Sequence, residues 1–166
     1  MSYDSIERAI CSTLERIAKT WNAGTRFDWT REVSTRLCQL AQKVDPTFRA
    51  CARGKPPGAE YGEWLYDICW YVEDRVCLTH LPLVAECEWA PEGPWDSDFQ
   101  KLLQARADHR LWVFQVPTAD AAEKMFEGCR KVIKRFRASE LGDRYLFAAW
   151  VWAEPPSFRF CSYIHS

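Results

Sequence analysis

Residues 81–101 read LPLVAECEWAPEGPWDSDFQK, and this stretch decides the fold. The apolar run over 83–89 predicts a strand that leads out of the core. Side chains alternate between the two faces of a strand, so Glu86 and Glu88 share one face. A loop rich in Pro and Gly follows, and Asp96 then opens a helix predicted over about 96–108. The stretch therefore predicts a strand, a loop and a helix, with two acids near the end of the strand.

The two glutamates suggest a metal site. Neighbouring carboxylates repel each other and lose hydration when their face is covered, and a divalent cation such as Mg²⁺ relieves both costs. The alternative is a solvated face on which Glu86 and Glu88 are ordinary surface residues. Lys101 falls in the first turn of the following helix, where the helix dipole does not favour a cation. It is either an ammonium held beside the acids or a solvated lysine.

Upstream, the sequence predicts two helices. Asp4 and Glu7 have the spacing of a capping box. A helical apolar stripe follows, and Gly24 is the predicted stop; the stripe comprises Ile6, Ile10, Leu14, Ile17 and Trp21, with Glu7 off it. A second helix is predicted over about 29–44 and ends before Asp45-Pro46. Residues 45–60 are expected to be an irregular loop with exposed Arg49, Arg53 and Lys55.

Between that loop and the organising strand, a β-meander is predicted. Residues 61–72 (YGEWLYDICWYV) are aromatic and β-branched enough for a buried strand. A turn at 73–75 follows, and a strand over 76–79 is expected to be interrupted at Leu81-Pro82. Asp67 is a lone acid in apolar company on the first of these strands, so it is either a metal ligand or the partner of an arginine. Asp74 in the turn is the fallback acid.

Downstream, strands are predicted over 110–116 and 144–153, with a helix over 119–137 between them and an edge strand over 157–164. Cations on that helix are candidate contacts for a nucleic-acid backbone: Lys124, Arg130, Lys131, Lys134 and Arg135. The alternative is a solvated outer face. A meander followed by β-α-β crossovers predicts an α/β protein with a mixed sheet flanked by helices, and 166 residues are most simply one domain, 1–166.

Composition narrows the function classes. The formal net charge is -1, so any nucleic-acid site must be local. The eight cysteines include no pair with metal-ligand spacing, and we expect free thiols in a reduced, cytoplasmic protein. No signal peptide or membrane-spanning run is found, so no membrane association is expected. None of the three histidines accompanies a nucleophile motif, which gives triad chemistry little support.

The predicted order resembles the restriction-endonuclease-like nuclease superfamily, whose core runs α-β-β-β-α-β. Its members carry an Asp on one hairpin strand and Glu/Asp-x-Lys on the next, followed by the crossover helix. Asp67 matches the first acid and Glu86 the second, but Glu88 stands where the family has lysine. Some members move that lysine onto the following helix, where this chain has Lys101. The resemblance covers residues 61–116 well and the flanking helices by order alone.

This resemblance implies a three-layer α/β/α sandwich preceded by two N-terminal helices. It also implies hydrolysis of phosphodiester bonds, in DNA rather than RNA, with Mg²⁺ or Mn²⁺ held by Asp67, Glu86 and Glu88. Lys101 is the implied catalytic cation, and Asp67, Glu86 and Glu88 are the implied catalytic acids. The alternative is a catalytically inactive binding or immunity-type protein on the same scaffold, acting on a protein partner.

Overall fold

A six-stranded mixed β-sheet forms the centre of the fold. The computed structural model describes residues 3–20 and 26–166, which contain four helices and six strands. The helices are α1 (Ser5–Thr20), α2 (Arg26–Val44), α3 (Ser97–Gln104) and α4 (Ala119–Arg135). The strands are β1 (Arg49–Ala52), β2 (Ile68–Glu73), β3 (Leu78–Glu88), β4 (His109–Val116), β5 (Arg144–Val151) and β6 (Ser157–Ile164).

The order of strands in the sheet follows the order of the chain, β1-β2-β3-β4-β5-β6. The first three strands form an antiparallel meander. Strands β3, β4 and β5 are parallel, and α3 and α4 make the two crossovers between them. Strand β6 returns antiparallel to β5. The predicted α/β class and mixed sheet are therefore confirmed.

Each face of the sheet has its own hydrophobic cluster. One joins α1 and α2, through residues such as Leu14 and Leu37, to Leu83 of β3. The other joins α3 and α4, through Phe99 and Phe126, to side chains of the strands that point the other way. Period-two alternation along each strand produces this division. Val84 belongs to the second cluster, so Glu86 and Glu88, which share its parity, lie on the α3 and α4 face.

Helix α1 begins with the predicted capping box. The Glu7 amide donates to Asp4 Oδ1 at 2.8 Å, and the Asp4 amide donates to Glu7 Oε2 at 3.0 Å. The prediction that Glu7 lies off the buried stripe is wrong: it is fully buried and forms an ion pair with Arg144 at 2.9 Å. Its partners lie far along the chain, which is why helical periodicity alone missed them. The predicted stop at Gly24 and the end of the stripe at Trp21 lie outside the described residues.

Residues 45–72 differ most from the prediction. The expected loop contains β1, and the expected strand over 61–72 is regular only from Ile68. Strand β1, from Arg49 to Ala52, pairs with the first four residues of β2, and residues 61–67 cross the end of β1 as an irregular segment. Two of the arginines expected in an open loop contact acids: Arg49 pairs with Glu60 at 2.9 Å, and Arg53 approaches Glu63 at 3.9 Å.

Strand β3 is longer than predicted because Pro82 does not interrupt it. The ladder between β2 and β3 shifts register between Trp70 and Val72, opposite this proline, and β4 pairs only from Leu83 onward. A proline is tolerated at such a bulge because no ladder donor is lost there. Helix α3, in contrast, stops at Gln104 rather than near 108. The chain becomes extended at Ala105, whose carbonyl accepts two hydrogen bonds from the buried Arg110 guanidinium.

All eight cysteines are free thiols, five of them buried. Within residues 3–20 and 26–166, none of the helices combines the length and the apolar character needed to cross a bilayer.

Candidate active site

Asp67 and Glu86 lie side by side where β2 begins and β3 nears its end. Ile68 pairs with Ala85 across the two strands, which places the residues on either side next to each other. The Cys87 amide donates to Asp67 Oδ2 at 3.0 Å, and the Asp67 amide approaches Glu86 Oε2 at 3.4 Å. Two residues predicted from separate strands are thus adjacent on one sheet face. Their catalytic role stays a prediction.

Glu86 is the most buried acid of this group, with 1% of its surface exposed. Burial raises its pKa to about 8, and the charge of Asp67 adds to this effect, while Lys101 opposes it. Burial likewise raises the pKa of Asp67, against the lowering effect of its hydrogen bond from Cys87. Two carboxyl groups in a poorly hydrated position are therefore held close to one cation. Glu86 Oε1 is buried and receives no aligned hydrogen bond.

That cation is Lys101. Its Nζ lies 3.1 Å from Glu86 Oε1, an ion-pair contact without hydrogen-bonding alignment, and 2.9 Å from Asp98 Oδ1. Partial burial lowers the pKa of Lys101, but the bond to Asp98 and the charge of Glu86 outweigh it, and the pKa is raised. The ammonium is thus kept charged and aimed at the acids, as predicted from its place in α3.

The start of α3 adds two acids that were noted in the sequence but not assigned to the site. Asp96 caps the helix by accepting a hydrogen bond from the Asp98 amide at 2.9 Å. One oxygen from each of Glu88, Asp96 and Asp98 lies within 4.8 Å of the others, and this is the one such group found among the described residues. It shares only Glu88 with the predicted metal set. The spacing of Asp98 and Lys101, three residues apart on a helix, was the available signal.

Tyr66 was missed entirely. It is 8% exposed, and burial raises the pKa of its phenol, as do Cys69 and Glu86, while Arg110 and Lys101 lower it. Tyr66 was predicted to lie in a regular strand, in which its side chain would point to the opposite sheet face from that of Asp67. Asp74, the fallback acid, is not near this group: it accepts hydrogen bonds from Val76 and Cys77 in the turn at the far end of β2.

The five predicted backbone-binding cations of α4 make no ion pair with these acids in the described part of the chain. Lys131 pairs with Glu127 at 2.8 Å, and the guanidinium of Arg130 donates to Cys161 Sγ at 3.3 Å. The middle of α4 nevertheless lies against the loop between β3 and α3, because a Cβ on Gly128 would fall 2.9 Å from Pro94 Cγ. The helix therefore supports the loop that carries Asp96.

Comparison of the chain with protein-family models, with curated proteins and with solved structures finds no match. The function must therefore be inferred from the site itself. The site consists of carboxylates around one ammonium, at the junction of two strands and a helix. Such a group suits a hard divalent cation and stabilisation of an anionic reaction centre.

Proposed function

We propose that this protein is a divalent-metal-dependent nuclease that hydrolyses phosphodiester bonds, DNA rather than RNA, with a core of the restriction-endonuclease-like kind. The observation that carries the proposal is the contact between Lys101 and Glu86. A lysine displaced onto the crossover helix was the one feature needed to reconcile the sequence with that superfamily, and its ammonium lies 3.1 Å from the motif acid.

The element order supports the same proposal. Helix α2, the meander β1-β2-β3, the crossover helix α3 and the parallel strand β4 follow the α-β-β-β-α-β order that the resemblance implies. One pair of helices packs on each of the two clusters, which supports the proposed three-layer α/β/α sandwich. Asp67, which the resemblance makes the first motif acid, directly precedes β2 and lies next to Glu86.

The residues present fit a divalent cation. Glu86 Oε1 is buried with the Lys101 ammonium 3.1 Å away but no aligned hydrogen bond, and Asp67 beside it carries a second carboxylate. Mg²⁺ and Mn²⁺ prefer such oxygen ligands. Asp67, Glu86 and Glu88 would hold the ion in the predicted set, but among the described residues these three do not form a group with oxygens all within 4.8 Å of one another. Glu88, Asp96 and Asp98 form the group whose oxygens are closest together.

When bound, the cation lowers the pKa of a water ligand and neutralises phosphate oxygens. The protein's own residues prepare the site for the substrate. Asp98 and Glu86 fix the Lys101 ammonium in position and keep it protonated, so it is available to stabilise charge that develops on the attacked phosphate. The Cys87 amide holds the Asp67 carboxylate in one orientation, which leaves its other oxygen for the ion.

The test is cleavage of supercoiled plasmid and of single-stranded DNA and RNA with Mg²⁺ or Mn²⁺. We expect cleavage by the wild type, its loss in EDTA, and its loss in Glu86→Ala. Glu73→Ala is the matched control, because this glutamate is exposed and ends β2 on the side away from the site. A wild type that is inert on all substrates with both metals contradicts the proposal.

A second candidate function is a catalytically inactive binding protein on the same scaffold. Glu88 in place of the motif lysine favours it, as do the exposed Trp64 and Leu65 beside the site, 47% and 61% exposed. In this case Lys101 only neutralises buried acids. Two results together would favour this function. The wild-type protein would cleave none of the substrates, and the stability of Lys101→Ala would not change when Mg²⁺ is added.

A further inference from the structure

Exposed aromatic side chains lie close in sequence to two of the acids. Tyr61 and Trp64 precede Asp67 on one side and are 49% and 47% exposed, and Trp95 precedes Asp96 on the other side and is 66% exposed. Large apolar side chains this open to solvent normally have a binding role when they are grouped. They precede Asp67 or Asp96 by one to six residues, which links this surface to the candidate active site.

The first pair is organised rather than scattered. The rings of Tyr61 and Trp64 are stacked with centroids 6.3 Å apart, and Trp64 packs against Tyr71 of β2 at 4.7 Å. A buried support of this kind fixes the indole while leaving nearly half of it exposed. A pre-positioned ring loses little conformational entropy when a ligand stacks on it.

A cation lies next to these rings. The Arg53 amide donates to the Asp67 carbonyl at 3.2 Å, which places Arg53 directly across from Asp67. Arg53 is the first residue of the turn that follows β1. Its guanidinium is 71% exposed, and its nearest acid, Glu63, is 3.9 Å away. This contact with Glu63 is long and exposed to solvent, so it holds the guanidinium only weakly and leaves it able to turn to a phosphate.

We infer that Tyr61, Trp64 and Arg53 form a binding surface for single-stranded nucleic acid, which feeds the strand toward the acids. This inference rests on the proposed function and narrows its substrate class. Unpaired bases offer π-faces to aromatic side chains, whereas a duplex keeps those faces stacked inside. Stacking tolerates any base, and the arginine supplies the charge complementary to the backbone.

Binding without cleavage is the direct test. Fluorescence anisotropy in EDTA, and again with Ca²⁺, compares labelled single strands of about 15 nucleotides with the corresponding duplex, in DNA and RNA forms. We expect tighter binding of the single strands. Trp64→Ala should weaken it about tenfold, since one base stacked on an aromatic ring contributes on that scale. Arg53→Ala should lower the slope of log affinity against log salt by about one.

Two variants control for structure. Trp64→Phe keeps an aromatic ring and should retain most of the affinity, and Trp152→Ala removes an indole that is equally exposed, at 50%, but lies after β5. Equal affinity of Trp64→Ala and Trp152→Ala, preference for duplex, or no binding of single strands overturns the inference, and the last result points to a protein partner. Cleavage without dependence on Trp64 leaves the nuclease proposal intact and refutes the platform. Trp64-dependent binding of single strands without cleavage supports the platform and contradicts the nuclease proposal.

Discussion

Lys101 and Glu86 are in contact, Nζ to Oε1 at 3.1 Å, although they come from a helix and a strand separated by a loop. The ammonium also reaches Asp98, so one cation serves two acids. A lysine that replaces the missing motif lysine from another element lacks the motif's spacing along the strand. It must therefore be brought to the acids by the fold. The contact therefore makes Lys101 the most informative position to change.

Lys101→Ala should reduce Mg²⁺-dependent cleavage by about 10²–10³-fold, the scale for losing one electrostatic donor to the transition state. Single-turnover rates measure this loss. Lys19→Ala removes an exposed lysine of α1 and is the matched control. Normal cleavage by Lys101→Ala, with Glu86→Ala inactive, would mean that another group supplies the positive charge.

Glu86→Gln should change the pH dependence of stability. The folded-state pKa of Glu86 is raised to about 8 by burial and by Asp67, so the folded protein binds this proton more tightly than the unfolded chain. Stability contributed by the protonated form is lost as pH rises from about 4.5 to 8. The free energy of unfolding of Glu86→Gln, relative to that of the wild type, should therefore rise by at most roughly 3 to 5 kcal/mol between pH 5 and pH 9. Urea unfolding at both pH values measures it.

The matched control for that series is Glu73→Gln, which neutralises an exposed glutamate of β2. A difference between Glu86→Gln and wild type that stays constant from pH 5 to 9 would show that Glu86 does not carry an unfavourable buried charge.

Asp67→Asn and Asp96→Asn should separate the two possible ligand sets. If Asp67, Glu86 and Glu88 hold the ion, Asp67→Asn should weaken Mn²⁺ binding at least tenfold and Asp96→Asn much less. The opposite ranking would assign the ion to the group of Glu88, Asp96 and Asp98, whose oxygens lie closest. Calorimetric titration with Mn²⁺ at constant pH gives the affinities. Asp96 also caps α3, but asparagine caps a helix about as well as aspartate, so its variant should keep nearly wild-type stability in either case.

Gly128→Ala should disturb the site from a distance. The new Cβ would meet Pro94 Cγ at 2.9 Å, which is too close, so the loop before Asp96 must shift. Alanine favours a helix by up to about 1 kcal/mol over glycine, so global stability should change little while Mn²⁺ affinity falls. Gly62→Ala is the control, since nothing lies within 4 Å of its added Cβ. Unchanged affinity would show that the loop position does not matter for the ion.

Glu7→Gln should destabilise the fold by roughly 2 to 4 kcal/mol, since it leaves Arg144 without its closest acid and weakens the 2.6 Å hydrogen bond from Ser162. Thermal unfolding measures the change. Glu15→Gln, at an exposed position on the same helix, should be nearly neutral. Equal stability of the two variants would mean that solvent compensates the lost pair.

The organising strand was predictable because its information is local. Alternation placed Glu86 and Glu88 on one face, and the order of loop, cap and helix brought Lys101 back to them. The irregular conformation of residues 61–67 was not predictable, because their aromatic content favours a strand. Strand β1 occupies the pairing positions beside β2, and Trp64 and Leu65 are left exposed. The partners of Glu7 lie 137 and 155 residues away, and no local pattern reports contacts of that range.

The strand order has a consequence for synthesis on the ribosome. Because the sheet is assembled in chain order, each strand can join its neighbour as soon as it emerges, and no strand has to be inserted between two others. The growing sheet keeps one open edge throughout, and such an edge is prone to pair with other chains. Helix α1 is made first, but the charge of Glu7 can be buried favourably only after Arg144 and Ser162 have emerged. Nascent chains that stop before β6 should therefore be the ones that require a chaperone.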